Sequence, residues 1–175
     1  VRLGDAATGA LQTTLEGHTE GVTSCAFSSD GTRVVTASYD KTARLWDAAT
    51  GALQTTLEGH TDGVMCCAFS SDGTRVVTAS YDNTARLWDT ATGALQTTLE
   101  GHTDAVMSCA FSSDGTRVVT ASYDNTARLW DSAIRLLYTP DAADDWHCVD
   151  LVCRRIIKRN KHYSMTRRRF TPSTH

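Results

Sequence analysis

GALQTTLEGHTDGVMCCAFSSDGTRVVTASYDNTARLWDTAT, residues 51–92, is the middle of three consecutive copies of one 42-residue unit. The flanking copies are residues 9–50 and 93–134. The middle copy differs from the first at five positions and from the third at four. Repetition at a period of this length is typical of architectures in which one small unit recurs and packs against its neighbours.

Each copy contains four short extended segments separated by turn residues. In the middle copy the predicted strands are residues 52–57, 64–69, 75–80 and 84–88. Asp72-Gly73 between two apolar runs is a hairpin signal, because glycine adopts a positive φ at little cost. No stretch of the repeats shows sustained helical periodicity. The repeats therefore predict an all-β fold of four-stranded antiparallel units.

The second predicted strand of the middle copy carries a break in its alternation. Val64, Cys67 and Phe69 are expected to face the core, yet strict alternation places Val64 on the opposite face from the other two. One extra residue just after the valine restores the phase. The sequence therefore predicts a β-bulge at this point in all three copies.

Two motifs recur at fixed spacing in every copy, Gly-His early and Trp-Asp late. They are Gly17-His18, Gly59-His60 and Gly101-His102, paired with Trp46-Asp47, Trp88-Asp89 and Trp130-Asp131. A four-stranded unit with these motifs resembles the WD-repeat (tryptophan–aspartate repeat) family of β-propellers. The resemblance covers residue 1 to about residue 134. It implies a partial β-propeller of three four-stranded antiparallel blades.

The first residues of the chain match the last strand of the repeat. Residues 1–5 read VRLGD, where the later copies read ARLWD, so Gly4 stands at the tryptophan position. We interpret this segment as a remnant strand of a preceding blade, in a chain that is a fragment of a larger propeller. Residues 1–134 would then be an incomplete propeller domain. Open strand edges predict self-association into oligomers or aggregates, and completion of a ring by two copies is a further alternative.

The family resemblance also implies a hydrogen-bonded chain in each blade, from Asp to His to Thr to the Trp indole. The three structural tetrads are His18, Thr36, Asp40 and Trp46; His60, Thr78, Asp82 and Trp88; and His102, Thr120, Asp124 and Trp130. The same three groups form the relay of hydrolases, so threonine nucleophiles are the alternative. We favour the structural interpretation, because a catalytic hydroxyl must face a pocket and the repeat supplies no oxyanion site. No catalytic residue, metal ligand or cofactor is predicted in the repeats.

In the family, one rim of the ring carries the residues that contact partners. The candidate partner-binding residues that the resemblance implies are Thr23, Tyr39, Lys41, Met65, Tyr81, Asn83, Met107, Tyr123 and Asn125. Most differences between the copies fall at or near these positions. Because tyrosine is rigid and methionine adaptable, this rim favours binding of proteins or peptides. The alternative is that the tyrosines only pack over the top of each blade.

Composition separates the repeats from the end of the chain. Residues 1–134 carry eight Arg or Lys against sixteen Asp or Glu, whereas residues 135–175 carry nine against four. No apolar run approaches the roughly 20 residues that cross a bilayer, so we expect no membrane span. Cys25, Cys67 and Cys109 share one repeat position and are predicted to be buried, unpaired thiols. Unpaired thiols favour a reducing compartment, cytoplasmic or nuclear.

Residues 135–175 form a basic tail without the repeat, which we expect to be disordered or artefactual. Within it, residues 136–158 resemble the product of translated sequencing-adapter or vector DNA. The alternatives are a nucleic-acid patch and a metal site. Their residues are Arg154-Arg155 with Arg167-Arg168-Arg169, and His147 with Cys148 and Cys153. Ile134–Thr139 is apolar enough to supply an outer strand to the third blade.

The function that the resemblance implies is a non-catalytic scaffold for protein–protein interaction. Two alternatives stay open at this point. One is an accessory propeller domain of a larger enzyme or signalling protein, with catalysis upstream of Val1. The other is nucleic-acid binding through the basic tail.

Overall fold

The computed structural model describes residues 1–4 and 6–132, and within these ranges the chain forms β-strands and turns with no helix. The strands are β1 (Arg2–Gly4), β2 (Leu11–Thr14), β3 (Val22–Phe27), β4 (Arg33–Ser38), β5 (Ala43–Asp47), β6 (Leu53–Leu57), β7 (Val64–Phe69), β8 (Arg75–Ser80), β9 (Ala85–Asp89), β10 (Leu95–Leu99), β11 (Val106–Phe111), β12 (Arg117–Ser122) and β13 (Ala127–Asp131). No helix in the described part of the chain is long and apolar enough to cross a membrane.

Every pair of neighbouring strands is antiparallel, and each complete sheet draws on two successive repeats. Blade 1 is β3–β4–β5–β6 and blade 2 is β7–β8–β9–β10, so the outermost strand of each begins the next repeat. Blade 3 is β11–β12–β13, and β1 pairs with β2 in a separate two-stranded sheet. The prediction of an all-β partial propeller with a remnant strand is therefore confirmed.

Blade 3 has three strands among the described residues, one fewer than the repeat predicts. The outer strands of blades 1 and 2 come from the repeat that follows each of them. The segment suggested for this role in blade 3, Ile134–Thr139, lies outside the described residues. The basic tail at 135–175 also lies outside the described residues, so the expectations about it stay predictions.

The hairpin between β7 and β8 forms where Asp-Gly predicts it. Gly73 has a φ of 68° in this turn. The Asp72 carboxylate accepts hydrogen bonds from the Ser70 hydroxyl and from the Thr74 amide, the latter over 3.0 Å. These bonds, that of Ser70 first, lower the pKa of Asp72 to about 2. The carboxylate thus holds the turn in its ionised form.

The β-bulge predicted after the valine of the second strand is present in all three copies. In blade 2, Val64 pairs with Ser80, and the next pair is Cys66 with Ala79, so one residue is skipped. The register shifts at the same place in β3 and in β11. As a result Val64 and Cys67, 0% and 4% exposed, both face the core.

The hydrophobic cores lie between successive blades. One cluster joins blade 1 to blade 2, and a second joins blade 2 to blade 3. The first cluster is Val35, Ala37, Ala43, Leu45, Leu57, Val64, Cys67, Val76 and Trp88. Between the β1–β2 sheet and blade 1 the described residues form a smaller buried cluster of Leu3, Leu15, Val34 and Trp46. Each blade therefore depends on its neighbour for burial, as expected of a repeat architecture.

The prediction of a buried thiol is wrong for Cys25 and confirmed for Cys67 and Cys109. Cys25 is exposed because no described strand covers β3 as β4 covers β7. All three thiols are free, as is that of Cys66. Cys148 and Cys153 lie outside the described residues.

Candidate functional site

The tetrad of blade 2 is a continuous chain of hydrogen bonds. His60 Nδ1 lies 2.7 Å from Asp82 Oδ2, and His60 Nε2 lies 2.8 Å from Thr78 Oγ1. The Trp88 indole N–H donates to the same Thr78 oxygen over 2.9 Å. A carboxylate only accepts, so Nδ1 carries the hydrogen, and in the neutral imidazole Nε2 accepts from the threonine hydroxyl. Donation therefore runs from Trp to Thr to His to Asp.

Blades 1 and 3 repeat this geometry. The His Nδ1 to Asp distance is 2.7 Å in blade 1 and 2.6 Å in blade 3. The His Nε2 to Thr distance is 2.8 Å in both, as is the Trp Nε1 to Thr distance. The structure thus brings together His18, Thr36, Asp40 and Trp46, and also His102, Thr120, Asp124 and Trp130.

Four separate pieces of backbone deliver the tetrad of blade 2. His60 lies in the loop before β7, Thr78 in β8, Asp82 in the turn after β8, and Trp88 in β9. The glycine before the histidine has a φ of 144°, and a Cβ there would lie 2.4 Å from the Arg86 guanidinium. The positive φ therefore favours glycine at this position of the Gly-His motif, where the loop passes close to the Arg86 side chain of β9.

The carboxylate of each tetrad has further donors that the sequence analysis missed. In blade 1, Asp40 Oδ1 accepts from the Thr42 amide and hydroxyl, and Oδ2 accepts from the Thr19 amide. Burial alone would raise the pKa of Asp40, but the bonds from Thr42 and His18 outweigh it and lower the pKa to about 2. The Asp-x-Thr spacing, present in all three copies, is the signal that could have identified these donors.

The tyrosines and methionines among the candidate rim residues differ in their exposure to solvent. Tyr39 and Tyr123 are 43% and 40% exposed, while Tyr81 is half-buried. The rings of Tyr39 and Tyr81 stack across the boundary between blades 1 and 2, with centroids 6.3 Å apart and an interplanar angle of 22°. Met65 and Met107 are half-buried.

Thr23, the copy-1 counterpart of the two methionines, is half-buried, and its hydroxyl donates to the carbonyl of Val64 in blade 2. The remaining candidates, Lys41, Asn83 and Asn125, have φ values of 69°, 68° and 68°. They occupy the turn between the third and fourth strands of their repeat, where the left-handed region is required. Asparagine tolerates this conformation better than most residues. The choice of residue here therefore has a backbone explanation that is independent of any partner.

The family model described as WD domain, G-beta repeat, matches residues 9–47, 51–89 and 93–131. The chain belongs to the WD40 repeat family. WD40 repeats generally serve as scaffolds for protein–protein interaction. No curated protein matches the chain.

The tetrad hydroxyls of these WD40 blades are inaccessible to a substrate. Thr36 and Thr78 are 0% exposed and Thr120 is 1% exposed. Each hydroxyl faces an indole inside its blade, so nucleophilic attack requires the blade to open. Within residues 1–4 and 6–132, no group of three or more His, Cys, Asp or Glu side chains could hold a metal ion.

Replacing Lys41 with asparagine should stabilise the WD40 blades by about 0.5–1 kcal/mol. Lysine at a φ of 69° is strained, and asparagine relieves part of that strain. Urea unfolding followed by circular dichroism measures the change. The reverse substitution in the next blade, Asn83→Lys, is the matched control and should destabilise by a similar amount. Shifts of the same sign in the two variants would contradict the backbone explanation.

Proposed function

We propose that the protein is a non-catalytic scaffold that binds a protein or peptide through one rim of the propeller. The binding surface, here called the tyrosine rim, consists of Tyr39, Tyr81, Tyr123, Met65 and Met107. The observation that carries the proposal is the stacked pair Tyr39–Tyr81 at a blade boundary, with two of the three tyrosines about two-fifths exposed. Rigid aromatic rings of this kind bury large areas at little cost in side-chain entropy.

Burial divides the polar residues of each repeat between two proposed roles. Thr78 and His60 are 0% and 6% exposed, so we assign the tetrads to holding the blades together. The tyrosine rim, in contrast, has exposed ring surface available for contact. Free thiols at Cys66, Cys67 and Cys109 support a location in the cytoplasm or nucleus.

The residues that would support the nucleic-acid and metal alternatives of the tail lie outside the described residues. No observation on the described residues favours an accessory role in a larger enzyme over a free-standing scaffold. The exposed ring surface of Tyr39 and Tyr123 is the observation that supports the interaction scaffold over these alternatives.

The double substitution Tyr39→Ala with Tyr123→Ala should weaken peptide binding at least tenfold without unfolding the protein. Peptides are first selected on the unaltered protein from a displayed random library, and their dissociation constants are then measured by fluorescence anisotropy. A tenfold change in the dissociation constant corresponds to about 1.4 kcal/mol of binding free energy. Loss of two aromatic contacts should remove more than this. Circular dichroism checks the fold.

The matched control is the pair Leu53→Ala and Leu95→Ala. These leucines are 47% and 45% exposed on the outer strands of the blades, so they are as accessible as the tyrosines but lie outside the rim. Their replacement should leave the affinity within about twofold. Equal weakening by the two double variants, or no weakening by either, would remove the tyrosine rim as the binding surface.

A further inference from the structure

Chemically identical residues have different exposures at the two ends of the blade series. Val22 in β3 is 39% exposed, whereas its counterparts Val64 and Val106 are both 0% exposed. At the other end, Ala127 in β13 is exposed, whereas its counterpart Ala43 is 1% exposed. Two apolar faces are therefore uncovered among the described residues, one on β3 and one on β12–β13.

The two boundaries between successive blades, blade 1 with blade 2 and blade 2 with blade 3, show how such faces are covered. β7 packs against β4 of the preceding blade, and β11 packs against β8 in the same way. In both places the covering face consists of two residues from the second strand of the preceding blade and two residues from its third strand. They are Val35, Ala37, Ala43 and Leu45 in blade 1, and Val77, Ala79, Ala85 and Leu87 in blade 2. Blade 3 carries the same four residue types at Val119, Ala121, Ala127 and Leu129.

The β1–β2 sheet reproduces the register of a complete blade edge. Arg2 pairs with Thr14 and Leu3 with Thr13, and the register then shifts before Gly4 pairs with Leu11. The β5–β6 pair has the same register and the same shift, with Trp46 opposite Leu53. β1 therefore occupies the place that an ARLWD strand takes in the other blades.

We propose that two copies of the 175-residue chain complete each other, with β13 of one copy replacing β1 of the other as the partner of β2. The exchange brings the covering face of blade 3 onto the uncovered face of β3. Each copy donates its own β2 as the fourth strand of the other copy's blade 3. This self-assembly goes beyond the proposed scaffold function and does not depend on it.

A cleft beside β1 is the place that the second strand of a preceding blade would fill. It is lined by Val1, Arg2, Leu3, Gly4, Cys25, Ala26, Phe27 and Val34. β12 is the strand that fits, but both of its edges are already paired, with β11 and β13. It can enter the cleft only together with β13, and β13 then takes the position of β1. The exchange follows from this pairing.

β1 is a weak competitor for its own position. It is three residues long, and Gly4 supplies no side chain where the repeat has tryptophan. The cluster that it helps to form has four buried residues, whereas the cluster between blades 1 and 2 and that between blades 2 and 3 have nine each. The exchange rebuilds a full cluster from Val119, Ala121, Ala127 and Leu129 of one copy and Leu15, Val22, Cys25, Val34 and Trp46 of the other.

The proposed pair of chains is a closed ring. Each copy contributes blades 1 and 2, and each blade 3 becomes four-stranded through β2 of the other copy. The ring then has about six blades, which is within the range of about four to eight that propellers adopt. Closure also gives a partner strand to the outer edge of β13, which has none among residues 1–4 and 6–132.

Sedimentation velocity of the 175-residue chain over a range of concentrations tests the proposal. We expect a species with twice the 19.0 kDa mass of one chain. Ala127→Asp and Val22→Asp should each raise the dissociation constant more than about a hundredfold, because a carboxylate would enter an apolar interface. Both positions are exposed in the single chain, so each variant should keep its circular dichroism spectrum. Gln54→Asp, an equal charge on an exposed site of blade 1, should leave the mass unchanged.

Cysteine labelling gives a second measurement on the unaltered protein. The Cys25 thiol is exposed in one chain and lies in the proposed interface, so its maleimide labelling should slow at least tenfold as concentration rises. Mass spectrometry of the peptide that contains Cys25 follows this reaction alone. A monomer at all concentrations would overturn the proposal. So would a ladder of larger masses, or an unchanged dimer in both aspartate variants.

Discussion

Replacement of His60 by alanine should lower the free energy of unfolding by about 3–5 kcal/mol. The imidazole is 6% exposed and bridges Asp82 to Thr78. Its removal leaves the buried Thr78 hydroxyl without an acceptor and takes one donor from the Asp82 carboxylate, which keeps its bonds from Thr61 and Thr84. Each buried polar group left unpaired costs about 1–3 kcal/mol, and the cavity adds to this. Urea unfolding at pH 7, followed by circular dichroism, measures the loss.

The comparison variant is Gln54→Ala, on an exposed position of β6 in the same repeat. A surface change of this kind should alter the unfolding free energy by less than about 0.5 kcal/mol. Thr78→Val separates loss of hydrogen bonds from loss of volume, because it keeps the shape and removes the oxygen that Trp88 and His60 share. It should cost about 2–4 kcal/mol, since two partners are left unpaired. Equal midpoints for His60→Ala and Gln54→Ala would contradict a structural role for the tetrads. All variants are compared at one protein concentration, because association also affects stability.

The strands and the bulges could be predicted from the sequence because the same signals occur at the same positions in all three copies of the repeat. The period of 42 residues, the Asp-Gly turn and the β-branched run at Val76-Val77-Thr78 all indicate the same strand boundaries. The bulge follows from one local conflict, in which Val64 and Cys67 cannot share a face without an extra residue. Local sequence therefore determines most of each blade.

The exposures at the ends of the series could not be predicted from the repeat. Cys25 and Cys67 have nearly the same local sequence, yet Cys25 is exposed and Cys67 is 4% exposed. The difference comes from what packs on the strand, which is a property of the neighbouring blade. Likewise Lys41 and Asn83 share a positive φ that the turn imposes. A lysine does not indicate a positive φ in a sequence, so this conformation could not be predicted at Lys41.

The Asp40→Asn variant should lose about 2 kcal/mol of stability at neutral pH and almost none at pH 2. Hydrogen bonds from Thr42 and His18 lower the pKa of Asp40 from 3.8 to about 2 despite partial burial. The folded protein thus binds this proton less readily than the unfolded chain does. One unit of pKa difference corresponds to about 1.4 kcal/mol, which sets the expected size. The contribution is fully present above about pH 5, and it is lost as the pH falls through 4 towards 2.

Urea midpoints of the unaltered protein and the variant at pH 7, 5, 3 and 2 test this prediction. The difference between the two proteins should narrow steadily below pH 5, because protonation makes the wild-type carboxyl as neutral as the amide. Glu58→Gln removes a carboxylate from an exposed position outside the tetrads and should have little effect at any pH. A constant difference between Asp40→Asn and the unaltered protein down to pH 2 would show that side-chain shape, not ionisation, matters at this site. Asp30, Asp72 and Asp114 in the hairpin turns, whose pKa values are also about 2, would then be the next carboxylates to replace by asparagine in the same measurement.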